Sequence, residues 1–174
     1  MNQPGKTIPH PLNAPFLNTE VVRRVFGTYA ERGVFRSFSE IPAAGSAVRF
    51  RFQWFRDVAF VVEFRPRTRT LAFVDLLPEV PARSAMDRDL RAFVKGRTAR
   101  AVPEHRRVDV RKMTAACRNR GGRISIVITL KDRHAEYGVR RAVNLVQEIL
   151  MDFLNDDRFT QYQVAHFSLD PELA

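Results

Sequence analysis

The sequence is poor in cysteine and in long apolar runs, and both shortages exclude classes of protein. Cys117 is the single cysteine among 174 residues, which excludes a framework of intramolecular disulfides and is typical of a reducing compartment. No run of 18 apolar residues occurs, and the N-terminal residues lack the apolar segment of a secretory signal peptide. We therefore expect a cytoplasmic protein that does not enter a membrane.

Motifs that carry catalysis or bind metals are also missing. The sequence contains no GxSxG, HExxH, Walker or GxGxxG pattern. Its histidines share no metal-ligand spacing with one another or with Cys117; they are His10, His105, His134 and His166. A lone cysteine without a neighbouring base is usually a small buried hydrophobe. We therefore expect no catalytic residue, no metal site and no cofactor, and we predict that the protein is not an enzyme.

Lysine is scarce although the chain is strongly basic. The formal net charge is +10, and only four of the 29 basic residues are lysines. Residues 49–141 carry 23 basic and 10 acidic side chains, whereas residues 142–174 carry one basic and six acidic side chains. Such charge attracts nucleic acid or anionic surfaces, but a preference for arginine also arises from GC-rich coding. Both explanations remain open, as does docking of the acidic end on the basic middle.

Proline and helix-capping residues organise the first part of the chain. Four prolines in the first 17 residues predict an extended arm. A helix is predicted from Thr19 to Arg32, where Gly33 permits a left-handed stop, and a loop follows it. We divide the chain into an arm over 1–17, a single α+β domain over 18–157, and a tail over 158–174 with a possible short helix.

Apolar side chains alternate in the segments that follow. AVRFRFQW and DVAFVVEF alternate with a period of two, and TLAFVDLLP continues after a polar turn, so these segments predict three antiparallel strands. SAMDRDLRAFVKG has helical spacing, with Ser84 as N-cap and Asp87 three positions on. VDVRKMTAACRN predicts a weaker strand with a bulge near Lys112, and RISIVITL predicts another strand.

Gly121 and Gly122 lie among arginines and therefore raise the question of a phosphate-binding loop. Such a loop uses the start of a helix to meet the anion, whereas these glycines lead into a strand. A glycine pair between two strand patterns is typical of a tight hairpin turn. A long amphipathic helix then begins near Asp132 and ends before Asn155.

The element order α-β-β-β-α-β-β-α resembles the type III secretion chaperone-like fold. More narrowly, it resembles the YbjN-like family of proposed bacterial signalling regulators. The resemblance covers residues 19–156 and includes the strand block ending in LLPEVP, the SAMDRDLRAF helix, the hairpin and the helix EYGVRRAVNLVQEIL. It implies an antiparallel sheet of about five strands with helices packed on one side. It also implies a homodimer that acts by binding other proteins, with no functional residues to carry over.

Two candidate surfaces follow. If one sheet face or one helix is incompletely covered, we expect it to bind a protein partner; the helix positions that are candidates are Val22, Phe26, Tyr29, Val139, Val143, Val146 and Leu150. The alternative is a nucleic-acid or anion-binding surface made by Arg49, Arg51, Arg65, Arg67, Arg69, Arg118, Arg120 and Arg123. Ordinary packing of the helix positions on the sheet remains the competing explanation for the first set.

Overall fold

A computed structural model describes residues 14–55 and 58–167 of the chain. These residues form one antiparallel sheet of six strands and four α-helices, which confirms the predicted α+β class. The helices are α1 (Ala14–Glu31), α2 (Ala85–Gly96), α3 (Ala135–Glu148) and α4 (Thr160–Phe167). The strands are β1 (Arg36–Ile41), β2 (Val48–Trp54), β3 (Val58–Arg65), β4 (Thr70–Leu77), β5 (Met113–Arg120) and β6 (Arg123–Leu130).

The strands follow the spatial order β1-β2-β3-β4-β6-β5. Short links join the first four strands, so each of them pairs antiparallel with the next. The segment that contains α2 carries the chain past the position of β6. As a result β5 takes the edge of the sheet, and β6 returns beside β4.

One face of the sheet packs against helices and forms the core. Phe50, Phe60 and Ile126 are 1%, 5% and 0% exposed, which confirms the predicted facing of β2, β3 and β6. The ring of Phe26 on α1 stacks on that of Phe50 with their centroids 5.8 Å apart. We call this surface the inner face of the sheet. Its aromatic and aliphatic side chains supply the main driving force for folding.

The β5–β6 hairpin turns on the two glycines as predicted. Arg120 pairs with Arg123, so Gly121 and Gly122 are the two residues of the turn. Their φ angles are +56° and +82°, the combination that a type I′ hairpin turn needs and that glycine adopts without steric cost. The Gly122 N–H donates to the Asn119 side-chain oxygen at 3.1 Å. These glycines therefore form a turn and do not precede a helix.

The structure corrects three expectations about where elements lie. Residues Arg36–Ile41 form the edge strand β1, although this segment was predicted as loop. Its exposed positions and a positive φ of 51° at Ser37 hide the two-residue period. α1 begins at Ala14, inside the predicted arm, and β5 begins at Met113 because residues from Asp109 to Met113 form a turn. The remainder of the arm, residues 1–13, lies outside the described residues.

The C-terminal part packs onto the domain. α3 continues through a π-helical turn at Ile149–Phe153, so the predicted long helix is confirmed. The predicted tail helix is α4, where the Tyr162 hydroxyl donates to the carbonyl of Pro78 at 2.7 Å and Phe167 is buried. Residues 158–167 therefore belong to the folded body, while 168–174 lie outside the described residues.

Candidate functional site: the open face of the sheet

The helix positions predicted to bind a protein partner are part of the core. Six of them are at most 1% exposed, and Tyr29 is partly buried against the same core; the six are Val22, Phe26, Val139, Val143, Val146 and Leu150. Both stripes face inward because α1 and α3 each lay one apolar side on the sheet. The prediction of a docking surface at these positions is therefore corrected, since six of the seven side chains have almost no exposed area and Tyr29 is only partly exposed.

No helix among the described residues covers the opposite face of the sheet, and we call it the outer face. The strand register places Arg49 opposite Glu63, Glu63 opposite Ala72, and Ala72 opposite Val127 across four neighbouring strands. In the next row Arg51 lies opposite Val61 and Val61 opposite Val74, and on the hairpin Ser125 lies opposite Arg118. Apart from Glu63, these side chains are partly or fully exposed.

The outer face gathers most of the arginines proposed for anion binding. Six of the eight project from its strands: Arg49, Arg51, Arg65, Arg118, Arg120 and Arg123. The other two, Arg67 and Arg69, lie in the turn between β3 and β4. The fold thus brings together residues from separate segments of the sequence. Among the described residues, the carboxylates on this face are Glu63 and Asp75. The arginines outnumber them, so the outer face is cationic.

A trough runs along β4 and β6 in the middle of the outer face. Its volume is about 410 Å3, and its floor is made of small or β-branched side chains, namely Thr70, Ala72, Val74, Ser125 and Val127. One wall is Arg49 and Arg65, and the other is Arg118 and Arg120. A second cleft of about 550 Å3 adjoins the first wall and reaches the β1–β2 loop at Pro42.

Glu63 fixes the first wall. Its side chain is 9% exposed and accepts hydrogen bonds from the Arg65 Nε at 2.6 Å and the Arg49 Nε at 3.0 Å. Burial by itself raises the pKa of Glu63, but hydrogen bonds from Arg65 and Arg49 outweigh it, and the net effect lowers the pKa. The carboxylate is therefore ionised at neutral pH. It holds both guanidinium groups at the edge of the trough.

Other cations of this surface have no partner among the described residues. Arg51, Arg67, Arg118 and Arg120 make no hydrogen bond or ion pair within residues 14–55 and 58–167. Arg123, by contrast, lies 3.5 Å from an Asp75 carboxylate oxygen. The free guanidinium groups of Arg118 and Arg120, beside the floor of the trough, can bind carboxylates or phosphates in pairs of hydrogen bonds.

The trough is lined mainly by arginine, hydroxyl and small apolar side chains, with Glu63 as its carboxylate. Within the described part of the chain, no three His, Cys, Asp or Glu side chains are grouped as a metal site. Cys117 points to the inner side of β5, where burial raises its pKa to about 11 and keeps the thiol protonated. The outward positions of β2 to β6 carry no aromatic side chain.

Sequence reasoning missed the floor of the trough and the role of Glu63. The signal for the floor was present in β4 and β6, where both alternating sets contain apolar residues: Ala72, Val74 and Val127 are apolar although they occupy outward positions. Small apolar side chains on both faces are typical of a strand that is covered on both sides.

No helix among the described residues is long and apolar enough to cross a bilayer. Comparisons with protein-family models, with curated proteins and with solved structures each return no match.

Proposed function

We propose that the protein is a non-catalytic protein-binding or regulatory module that holds its partner on the outer face of the sheet. The observation that supports this most directly is the apolar floor of the trough, where Ala72, Val74 and Val127 remain partly exposed. Exposed apolar surface bordered by charge is a common feature of protein-binding sites. The proposed location is the cytoplasm.

The element order supports the same proposal. With the edge strand β1 and the C-terminal helix α4 set aside, the structure follows the order α-β-β-β-α-β-β-α of the secretion chaperone-like and YbjN-like proteins that the sequence resembles. That resemblance implies binding of other proteins and a homodimer. Two outer faces of like charge repel each other, so a homodimer would use a different surface.

Nucleic-acid binding is the second candidate because four arginines of the outer face and its adjoining turn lack a partner among the described residues. Proteins that bind single strands on a sheet usually stack bases on aromatic side chains. The outward positions of β2 to β6 have none, so we rank this function second.

Site-specific photo-crosslinking tests the proposed function. A benzoylphenylalanine at Ala116, which is exposed on the outer face of β5, is expected to crosslink the partner in cells that express the protein. The same group at Val164, which is exposed on α4, is the matched control. A single crosslinked protein species at Ala116 and none at Val164 is the expected result. Absence of crosslinks at Ala116 contradicts the proposal.

A gel-shift series separates the two functions. Nucleic-acid affinity that depends on six or more phosphate contacts falls by about a thousandfold or more between about 50 and 200 mM salt. We expect no such salt-sensitive complex with single-stranded or duplex oligonucleotides. A tight complex with this salt dependence would favour the second candidate.

A further inference from the structure

We propose that the segment bound in the trough is an acidic amphipathic α-helix of a partner protein, lying along β4 and β6 between the two arginine walls. This inference rests on the proposed function and specifies the chemistry of its partner. Three features of the trough lead to it, namely its width, its floor and its charge.

The width of the trough fits one helix. Three strand spacings separate β3, which carries Arg65, from β5, which carries Arg118. At about 4.8 Å per spacing the walls stand about 14 Å apart, and a helix with its side chains is about 10 to 12 Å across. The floor from Thr70 to Val74 spans about 14 Å at 3.4 Å per residue, the length of about nine helical residues.

The floor favours a helix over an extended peptide. Backbone groups of β4 and β6 are already paired with each other and with β3 and β5. An extended chain laid on Ala72, Val74 and Val127 would bury backbone N–H and C=O groups without partners, which costs free energy. A helix satisfies its own backbone and presents side chains instead. The small floor residues allow such a helix to approach closely.

The walls specify the charge of that helix. Arg118 and Arg120 have no partner among the described residues, while Arg49 and Arg65 share one carboxylate. Acidic side chains along both edges of the helix would complete these arginines with paired hydrogen bonds. The outward positions of β2 to β6 carry no aromatic side chain on which bases could stack, so the surface fits a peptide better than a nucleic acid.

A model peptide tests this chemistry directly. The probe is a fluorescein-labelled peptide of about 14 residues with Leu and Ala on one helical face and Glu along both of its edges. A scrambled peptide of the same composition, in which the apolar residues share no face, is the control. Fluorescence anisotropy with the full chain is expected to show saturable binding of the amphipathic peptide, and binding of the scrambled one at least about tenfold weaker.

Two kinds of variant locate the binding. The double substitution Arg118→Glu and Arg120→Glu is expected to lower the affinity for the amphipathic peptide by about tenfold or more. The matched double substitution Arg32→Glu and Arg133→Glu changes the net charge equally at exposed positions away from the trough and is expected to leave the affinity unchanged. Ala72→Gln adds bulk and polarity to the floor without charge, and it is expected to weaken binding as well.

The outcomes separate this inference from the proposed function. Equal binding of the two peptides, or an unchanged affinity in Ala72→Gln, would show attraction by charge alone and overturn the inference. A duplex oligonucleotide that displaces the peptide at equal concentration would overturn it in favour of nucleic acid. If Ala116 crosslinks a protein but neither peptide binds, the inference fails and the proposed function stands. If Ala116 also gives no crosslink, both fail.

Discussion

Side chains of β2 and β3 are buried or exposed according to the face of the sheet that they occupy. Phe60 is 5% exposed and packs near Phe52, with the ring centroids 6.1 Å apart. Arg51 lies one strand away on the outer face and is exposed. A one-residue change of register would exchange these environments, so the two positions test the facing of the whole sheet.

We predict that Phe60→Asp unfolds the domain and that Arg51→Asp does not. An unpaired carboxylate at the inner position costs several kcal/mol, which is a large part of the stability of an ordinary domain. Arg51→Asp is expected to change the free energy of unfolding by about 0.5 kcal/mol or less. Urea unfolding followed by circular dichroism measures the free energy of unfolding of both variants. A larger loss in Arg51→Asp than in Phe60→Asp would show that the two faces of the sheet are assigned the wrong way round.

At the scale of elements, the approach of α3 to the sheet depends on Gly138. A Cβ placed at this glycine would lie 2.3 Å from the Cδ2 of Leu130 and 3.7 Å from the Cβ of Met113. A methyl group of the buried Leu130 side chain therefore occupies the space that a Cβ at position 138 would need. Gly27 in α1 is the contrasting case, since a Cβ there meets nothing within 4 Å.

Alanine at these two glycines is predicted to have opposite effects on stability. Gly27→Ala gains helix propensity and is expected to stabilise by up to about 1 kcal/mol. Gly138→Ala gains the same propensity, but overpacking of about 1 to 3 kcal/mol outweighs it, so a net loss is expected. Thermal unfolding of both variants measures the difference.

A compensating change in the sheet provides the control for Gly138→Ala. Leu130→Val removes one carbon from the crowded side chain, so the double variant is expected to be more stable than the sum of the single effects predicts. Simple additivity of the two substitutions would contradict the close approach.

At the scale of the whole molecule, one buried carboxylate joins three separate parts of the chain. Glu148 at the end of α3 lies 2.9 Å from the Arg141 Nη1, 3.2 Å from the Arg97 Nε after α2, and 3.5 Å from the Arg106 Nε. Arg141 and Glu148 are 3% and 8% exposed. Burial is the largest influence on the Arg97 side chain and lowers its pKa, whereas the Glu148 charge raises it. The charged form of Arg97 therefore depends on the Glu148 carboxylate.

We predict that Glu148→Gln is strongly destabilising and that Asp152→Asn is not. Removal of the Glu148 charge leaves buried guanidinium groups without compensation, at a cost of about 3 kcal/mol or more. Asp152 pairs with Arg106, but its side chain is 44% exposed, so its loss is expected to cost about 1 kcal/mol or less. Denaturant unfolding distinguishes them, and equal costs would show that Glu148 does not organise this region.

Local pattern determined much of the fold. The alternation in β2, β3 and β6, the Ser84 cap of α2, whose side chain accepts from the Asp87 N–H, and the glycine turn each follow from neighbouring residues and were predicted from them. Segments with weak patterns were predicted poorly. β1 has no buried position and a left-handed residue at Ser37, so nothing local marks it as a strand; it is held by its pairing with β2.

The sequence by itself determined which side chains are apolar, which segments extend or coil, and how many arginines the chain carries. Only the tertiary structure decided that the helix stripes are covered and that one sheet face remains open. It also decided that Arg49 and Arg65 stand across a floor from Arg118 and Arg120. The physical reason is that strand order and register are long-range: α2 places β5 at the edge and β6 beside β4, and local periodicity carries no information about such neighbours.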